Sequence, residues 1–172
     1  KIGLTKDGRI TAVRIKMIAD GGAYGCSTEG VMRKAAILGA GPYNIENLQM
    51  DTMGVYTNNT PSGAFRSFGA LQTEFATESI LDICAEKLNM DPFELRRKNI
   101  FVAGDLTHTK QKLNSASIGT VLNELEALCN WDKGTSNSRG DKRKDLNSKD
   151  NRESCFLGAR LNTKSTVARG VK

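Results

Sequence analysis

The stretch KIGLTKDGRITAVRIKMIADGG, residues 1–22, decides how the chain is read. Asp7-Gly8 is a turn signal between a short and a long run of alternating apolar residues, the pattern of a β-hairpin. In the longer run Val13, Ile15, Met17 and Ala19 fall on one face, and Arg14, Lys16 and Ile18 on the other. Period-two alternation of this kind marks a half-buried strand. Gly21-Gly22 ends it.

Working outward, residues 28–39 read as a helix. Thr28 stands at the N-cap position, and Val31, Ala35 and Leu38 lie on one side. Gly39, Gly41 and Pro42 stop it. NLQMDTMGVYTNN, residues 47–59, reads as a second long strand, closed by Asn58-Asn59-Thr60-Pro61. From Leu71 to Leu88 a helix is expected, with Phe75, Ala76, Ser79, Ile80, Ile83 and Cys84 as its apolar arc. Glu74, Glu78, Asp82 and Glu86 recur on the other side, which reads as a solvated acidic face rather than a metal site. In MDPFELRRKNI, Asp91 caps, Pro92 fits the first helical position, and Glu94 completes a capping box. A further helix covers residues 117–130, with Ile118, Val121, Leu125 and Leu128 on one stripe.

These elements predict an α/β (α+β) fold. Its mixed sheet comprises the long hairpin and the strand near 48–58, and helices at 71–88, 91–99 and 117–130 cover it. Residues 1–131 form the folded part, residues 132–154 a polar flexible linker, and residues 155–172 the start of a following strand region.

The 172 residues are 38% hydrophobic and 26% charged, the composition of one soluble globular domain. No apolar run reaches membrane-spanning length. The chain starts without methionine or a leader pattern, in strand-like sequence, so a piece of a longer polypeptide is expected. Cys26, Cys84, Cys129 and Cys155 lie far apart, without a C-x-x-C pair to suggest zinc or an iron–sulfur cluster. Cys84 and Cys129 read as small buried hydrophobes, and a reducing, cytoplasmic location is expected. The net charge of +6 comes wholly from residues 131–172, where eleven cations face five acids. Residues 1–130 are balanced, which argues against a basic binding face on the folded part.

No Ser/His/Asp arrangement, phosphate loop or G-x-G-x-x-G can be drawn. The single histidine, His108, has only Asp105 near it in sequence and reads as structural or exposed. The loop within TPSGAFRSFGALQTEF, residues 60–75, is the best candidate site. Pro61, Gly63 and Gly69 permit a tight backbone approach. Arg66 offers five donors to a phosphate or oxo group, and Phe65 and Phe68 could frame a flat ligand. The helix that follows would aim N–H groups at the same place. The plainer reading anchors both phenylalanines in the core and pairs Arg66 with a carboxylate. A separate alternative is a nonenzymatic module whose basic tail docks an acidic partner or nucleic acid. That tail has no interleaved aromatics, so only weak, salt-sensitive binding would follow.

The pattern P-x-G-A-F-R-x-F-G-x-x-Q, followed by D-P-x-E-L-R-x-K-N, resembles the molybdenum-cofactor-binding large subunit of the xanthine dehydrogenase and aldehyde oxidase family, the molybdenum hydroxylases. The resemblance takes in VMRKAAILGAGPYNIENLQMDTMGVYTNN and, more loosely, the opening hairpin, covering about residues 1–131. It implies a molybdenum–pyranopterin (molybdopterin) cofactor and oxidative hydroxylation of N-heterocycles, such as xanthine-like purines, or of aldehydes. Electrons would leave through iron–sulfur clusters to FAD on other subunits or domains. Residue by residue, it implies that Arg66 lies beside the molybdenum without being a ligand, Phe68 stacks on an aromatic substrate, and Phe65 braces the loop near Gly63. Purine-branch members carry a substrate-orienting arginine where this chain has Lys34, with Arg33 adjacent. It also implies that the catalytic base and other cofactor-holding segments lie elsewhere in the large subunit. The chain alone would then be inactive, and its partners would be those segments, the iron–sulfur and FAD subunits, and other copies in an oligomer.

Overall fold

The computed structural model describes residues 1–128 and 131. The expectations for Cys129, the 132–154 linker, the 155–172 strand and the basic tail lie outside the described residues.

The opening hairpin forms as read. β1 (Ile2–Leu4) pairs antiparallel with β2 (Ile10–Asp20), with Ile2 opposite Val13 and a register shift between Gly3 and Leu4. At the turn Gly8 takes a φ of 88°, and its N–H donates to the Thr5 carbonyl at 3.0 Å. β2 then pairs parallel with β3 (Asn47–Val55), in unbroken register from Ala12 opposite Asn47 to Asp20 opposite Val55. The sheet order is β1-β2-β3, a mixed sheet as expected. Helix α1 (Thr28–Leu38) makes the crossover that a parallel pair requires.

The N-terminus of α1 departs from the expectation. Ser27 occupies the cap position without a side-chain hydrogen bond, and Thr28 is already helical. The Thr28 side chain packs against Gly21 and Gly54, where the ends of β2 and β3 meet the helix. Tertiary packing has claimed the residue that local capping chemistry would use. The helix also buries Met32 with Ala35, while Leu38 is exposed.

Helix α2 (Ala70–Leu88) corrects both predicted faces. It buries Thr73, Thr77, Leu81 and Ala85, a strict i, i+4 stripe, together with Asp82. Phe75 and Cys84 are half-buried, and Ile83 is exposed. Two buried threonines bring α2 close to α1: the Thr77 hydroxyl donates to the Gly39 carbonyl at 2.7 Å, and Thr73 lies against Gly39. The acidic side is solvated only in part: Glu86 is exposed and Glu74 half-buried. Glu78 and Asp82 converge on Arg96 of α3 (Pro92–Asn99), at 2.7 and 3.0 Å. Glu78 also accepts the Tyr43 hydroxyl at 2.6 Å. Burial and then the Glu78 carboxylate push the Tyr43 phenol far above its ordinary pKa, so it stays a donor.

Asp91 caps α3 as expected, accepting the Phe93 and Glu94 N–H groups at 2.9 and 3.0 Å. Glu94 does not complete a capping box but pairs with Lys98. Trp131 donates its indole N–H to Asp91 and sets its ring edge against Phe93, with centroids 5.1 Å apart. Asn99, 3% exposed, joins α3 to the hairpin by accepting from Ile10 N–H and donating to the Gly8 carbonyl, both at 2.8 Å. Ile10, Val13, Tyr43, Leu81, Ala85 and Leu95 form the core. Helix α4 (Ile118–Leu128) has no buried residue; Arg97 holds it through Asn123 and Glu126.

Removing Arg96 would leave Asp82 as a buried charge without its cation. Arg96→Leu should therefore cost about 3–5 kcal/mol in urea unfolding. Arg14→Ala, which breaks the exposed pair with Asp51, should cost no more than about 1 kcal/mol.

Candidate functional site around the Gly63–Gly69 loop

The candidate loop leaves the carboxyl end of β3 and delivers the chain to α2. Its first half is fastened to the carboxyl end of β2. Asp20, the last residue of β2, accepts the Gly22 N–H and the Thr57 hydroxyl on one carboxylate oxygen and the Asn59 amide on the other. Its backbone carbonyl accepts the Ser62 hydroxyl at 2.6 Å. Further backbone bonds run from Thr57 to Gly22, Ala23 to Asn59 and Ser62 to Gly21. Gly22 approaches so closely that a Cβ would lie 2.5 Å from Thr60 O and Pro61 Cα. Sequence reasoning missed Asp20. The available signal was an Asp followed two residues later by a glycine, since aspartate often binds a backbone N–H two residues on.

The second half is held by α1. Ser67, Phe68 and Gly69 all take positive φ, at 74°, 52° and 100°. For Ser67 and Phe68 this conformation costs about 1–3 kcal/mol each, and such outliers concentrate at functional sites. Gly69 is required twice over: besides its φ, a Cβ would lie 2.4 Å from the Val31 carbonyl oxygen. The Phe68 ring lies against Gly30 of α1 and is half-buried. Between these fastenings Gly63 has open space, Phe65 is 53% exposed, and Arg66 is exposed. Arg66 has no hydrogen-bond or ion-pair partner among the described residues. The plainer reading, with two core phenylalanines and a paired arginine, is thus not what forms.

Lys34 and Arg33 are both exposed on α1. The helix touches the loop through Gly30, Val31 and Ala35. At about 100° per residue, Lys34 falls inside the arc those residues define and Arg33 outside it. Lys34 is therefore the cation on the loop-facing side. His108 is remote from this chemistry: its Nε2 lies 2.6 Å from the Ile37 carbonyl at the far end of α1. The carboxylate near it in sequence, Asp105, instead accepts from Asn44 and Val102.

The loop runs into the bare N-terminus of α2, which has neither a side-chain cap nor an acidic residue in its first turn. The Ala70 N–H there is already taken by the Ser67 carbonyl at 3.2 Å, so the positive end of the helix and the exposed guanidinium before it favour negative charge through their field. Among the described residues no group of three or more His, Cys, Asp or Glu converges to cage a bare metal ion. No helix among the described residues is long and apolar enough to cross a membrane.

Gly69→Ala should destabilise the chain by at least about 1–2 kcal/mol through its φ alone, with the Val31 clash in addition. Gly63→Ala should stay within about 0.5 kcal/mol of the parent, and thermal unfolding distinguishes the two. The donors from Thr57, Asn59 and Gly22 hold the Asp20 carboxyl below its ordinary pKa. A carboxylate lowered on folding contributes fully above its unfolded pKa and loses that contribution as pH falls through the folded one. Carboxyl NMR titration should accordingly show Asp20 as an anion well into acid.

The molybdopterin cofactor-binding domain family model matches residues 1–100. The nicotinate dehydrogenase large molybdopterin subunit of Eubacterium barkeri is 40% identical over 121 residues, covering 70% of this chain and 28% of the relative. The aldehyde oxidoreductase of Megalodesulfovibrio gigas is 39% identical over 128 residues, covering 73% of this chain and 14% of the relative. Among solved structures, an aldehyde oxidoreductase from Desulfovibrio gigas superposes with a TM-score of 0.65 at 36% identity, over 75% of this chain and 14% of that one. Quinoline 2-oxidoreductase from Pseudomonas putida 86 gives a TM-score of 0.66 at 28% identity, over 75% of this chain and 17% of that one. The chain thus spans only a minor part of the relatives it matches. With both the sequence match and the shared fold, the chain belongs to the molybdopterin cofactor-binding domain family.

Proposed function

We propose that this chain forms one wall of the cofactor and substrate site of a cytoplasmic molybdenum hydroxylase acting on N-heterocycles or aldehydes. The carrying observation is Arg66, an exposed guanidinium without a partner among the described residues, on a loop otherwise fastened at both ends. Such an arginine, just before a helix N-terminus that has no side-chain cap, suits an anionic ligand. When bound, the molybdenum–pyranopterin would supply the redox chemistry for hydroxylating an electron-poor carbon. Arg66 would direct its donors at the oxo and phosphate oxygens of that group, and the positive end of the α2 dipole would add to the same field. Gly63 leaves room for the group to approach the backbone, and Phe65 shields one flank from water.

Phe68 presents a ring to a planar substrate, its position fixed by Gly30 behind it. Lys34, on the loop-facing side of α1, would orient a polar substituent of that substrate. Its single ammonium suits one carboxylate or carbonyl better than the two-point edge that an arginine fork would hold. Arg33, outside that arc, would act on the substrate only through its charge. The remaining large-subunit segments would complete the site, and iron–sulfur and FAD partners in an oligomeric assembly would remove electrons.

Arg66→Ala in the assembled enzyme should lower turnover by about 10²–10³. Because Arg66 is exposed, stability should change by no more than about 1 kcal/mol. Steady-state assays with xanthine, nicotinate and benzaldehyde, alongside molybdenum content, make the check. Full molybdenum and undiminished turnover on every substrate the parent accepts would refute this role for the loop.

A further inference from the structure

We infer that Asp20 is a positioning residue: it fixes residues 57–62 to the end of β2 and thereby sets where Arg66 and Phe68 stand. The inference deepens the proposed function and rests on it. Asp20 does not belong to the loop and touches neither Arg66 nor Phe68. Both carboxylate oxygens and its backbone carbonyl are nevertheless engaged by residues that lead into the loop: Thr57, Asn59 and Ser62. These contacts fasten only the entry of the loop. Its exit is fastened separately, by Gly69 against Val31 and Phe68 against Gly30. The residues between are exposed and have few contacts of their own. A segment held at two points keeps its geometry only while both hold. Releasing the entry would let Gly63, Phe65 and Arg66 swing about the α1 contact. Positive φ at Ser67 and Phe68 adds to this, because a strained turn persists only when its surroundings over-determine it.

The donor pattern also supplies its own test. Asn59 gives an amide N–H₂ to one Asp20 oxygen, while the other oxygen receives Thr57 and Gly22. In Asp20→Ala all three side-chain bonds, from Gly22, Thr57 and Asn59, would be lost. In the exchanged pair, Asp20→Asn with Asn59→Asp, the amide of residue 20 donates to the carboxylate of residue 59. The amide oxygen of residue 20 still accepts from Thr57 and Gly22, so all three bonds are kept and only the one between residues 20 and 59 is reversed. A role limited to carrying charge at position 20 would not be rescued by this exchange.

The assembled enzyme carrying Asp20→Ala, and the exchanged pair, would be compared by amide hydrogen exchange, molybdenum content and turnover on xanthine, nicotinate and benzaldehyde. Asp20→Ala should speed exchange at Thr57 and Ser62 roughly tenfold while leaving the α3 amides unchanged. Turnover should fall about tenfold to 10²-fold, the scale expected for displaced catalytic geometry. The exchanged pair should restore both. Unchanged exchange in Asp20→Ala, or no restoration in the exchanged pair, would overturn the inference. So would a loosened loop with undiminished turnover and full molybdenum, since the fastening would then serve no positioning role. Failure of the Arg66 reading shows separately, as Arg66→Ala retaining full turnover while the Asp20 exchange results stand.

Discussion

Burial of Arg96 is the constraint around which the rest of the domain is arranged. A guanidinium 8% exposed cannot stay there without anions, and α2 brings two, Glu78 and Asp82, from successive turns. Their attraction fixes the rotation of α2 about its own axis. That rotation turns Thr73 and Thr77 toward α1 and leaves Ile83 outside. Tyr43 joins through Glu78, which ties the chain between α1 and β3 to the same cluster. The cost of desolvating these charges is met only because each has a partner, so no one of them can be lost alone. With α2 set in rotation, its first residue is set in place, and the candidate loop ends at a fixed point.

The loop shows the opposite economy. Each end is over-determined, by Asp20 and Gly22 at one side and by Gly69 and Gly30 at the other, while the middle is left almost without contacts. Fastening and exposure fall on different residues of one short segment. This explains why a positive, aromatic tip can be held out without collapsing onto the protein. Collapse would bury Phe65 and pair Arg66, and the fastenings prevent both.

Much of the architecture was legible because it rests on local chemistry. Asp7-Gly8, the alternation from Val13 to Ala19 and the Asp91-Pro92 start of α3 depend on neighbours in sequence, and each formed as read. What failed to be legible was set by distant partners. The side of α2 that is buried follows from Arg96, and the fate of Thr28 from Gly21 and Gly54, none of which a helical period reveals. The loop was conspicuous by composition, through Arg66 between Phe65 and Phe68. Its fastening was not, because Asp20 reaches it from another strand. The adjacent cations on α1 were likewise separable only once Gly30, Val31 and Ala35 were seen to face the loop.

The parallel pairing of β2 with β3 has a consequence for how such a domain can diversify. Both strands end level, at Asp20 and Val55, so the chain leaves the sheet twice at one rim and α1 begins beside it. Ligands of open α/β sheets bind outside the carboxyl ends of parallel strands. Whatever projects at this rim is therefore connection rather than strand. The exposed residues 63–66 can change without altering the strand register or the Arg96 cluster, provided that Gly22 and Gly69 keep the two ends in place. One scaffold can in this way present different surfaces at the same rim.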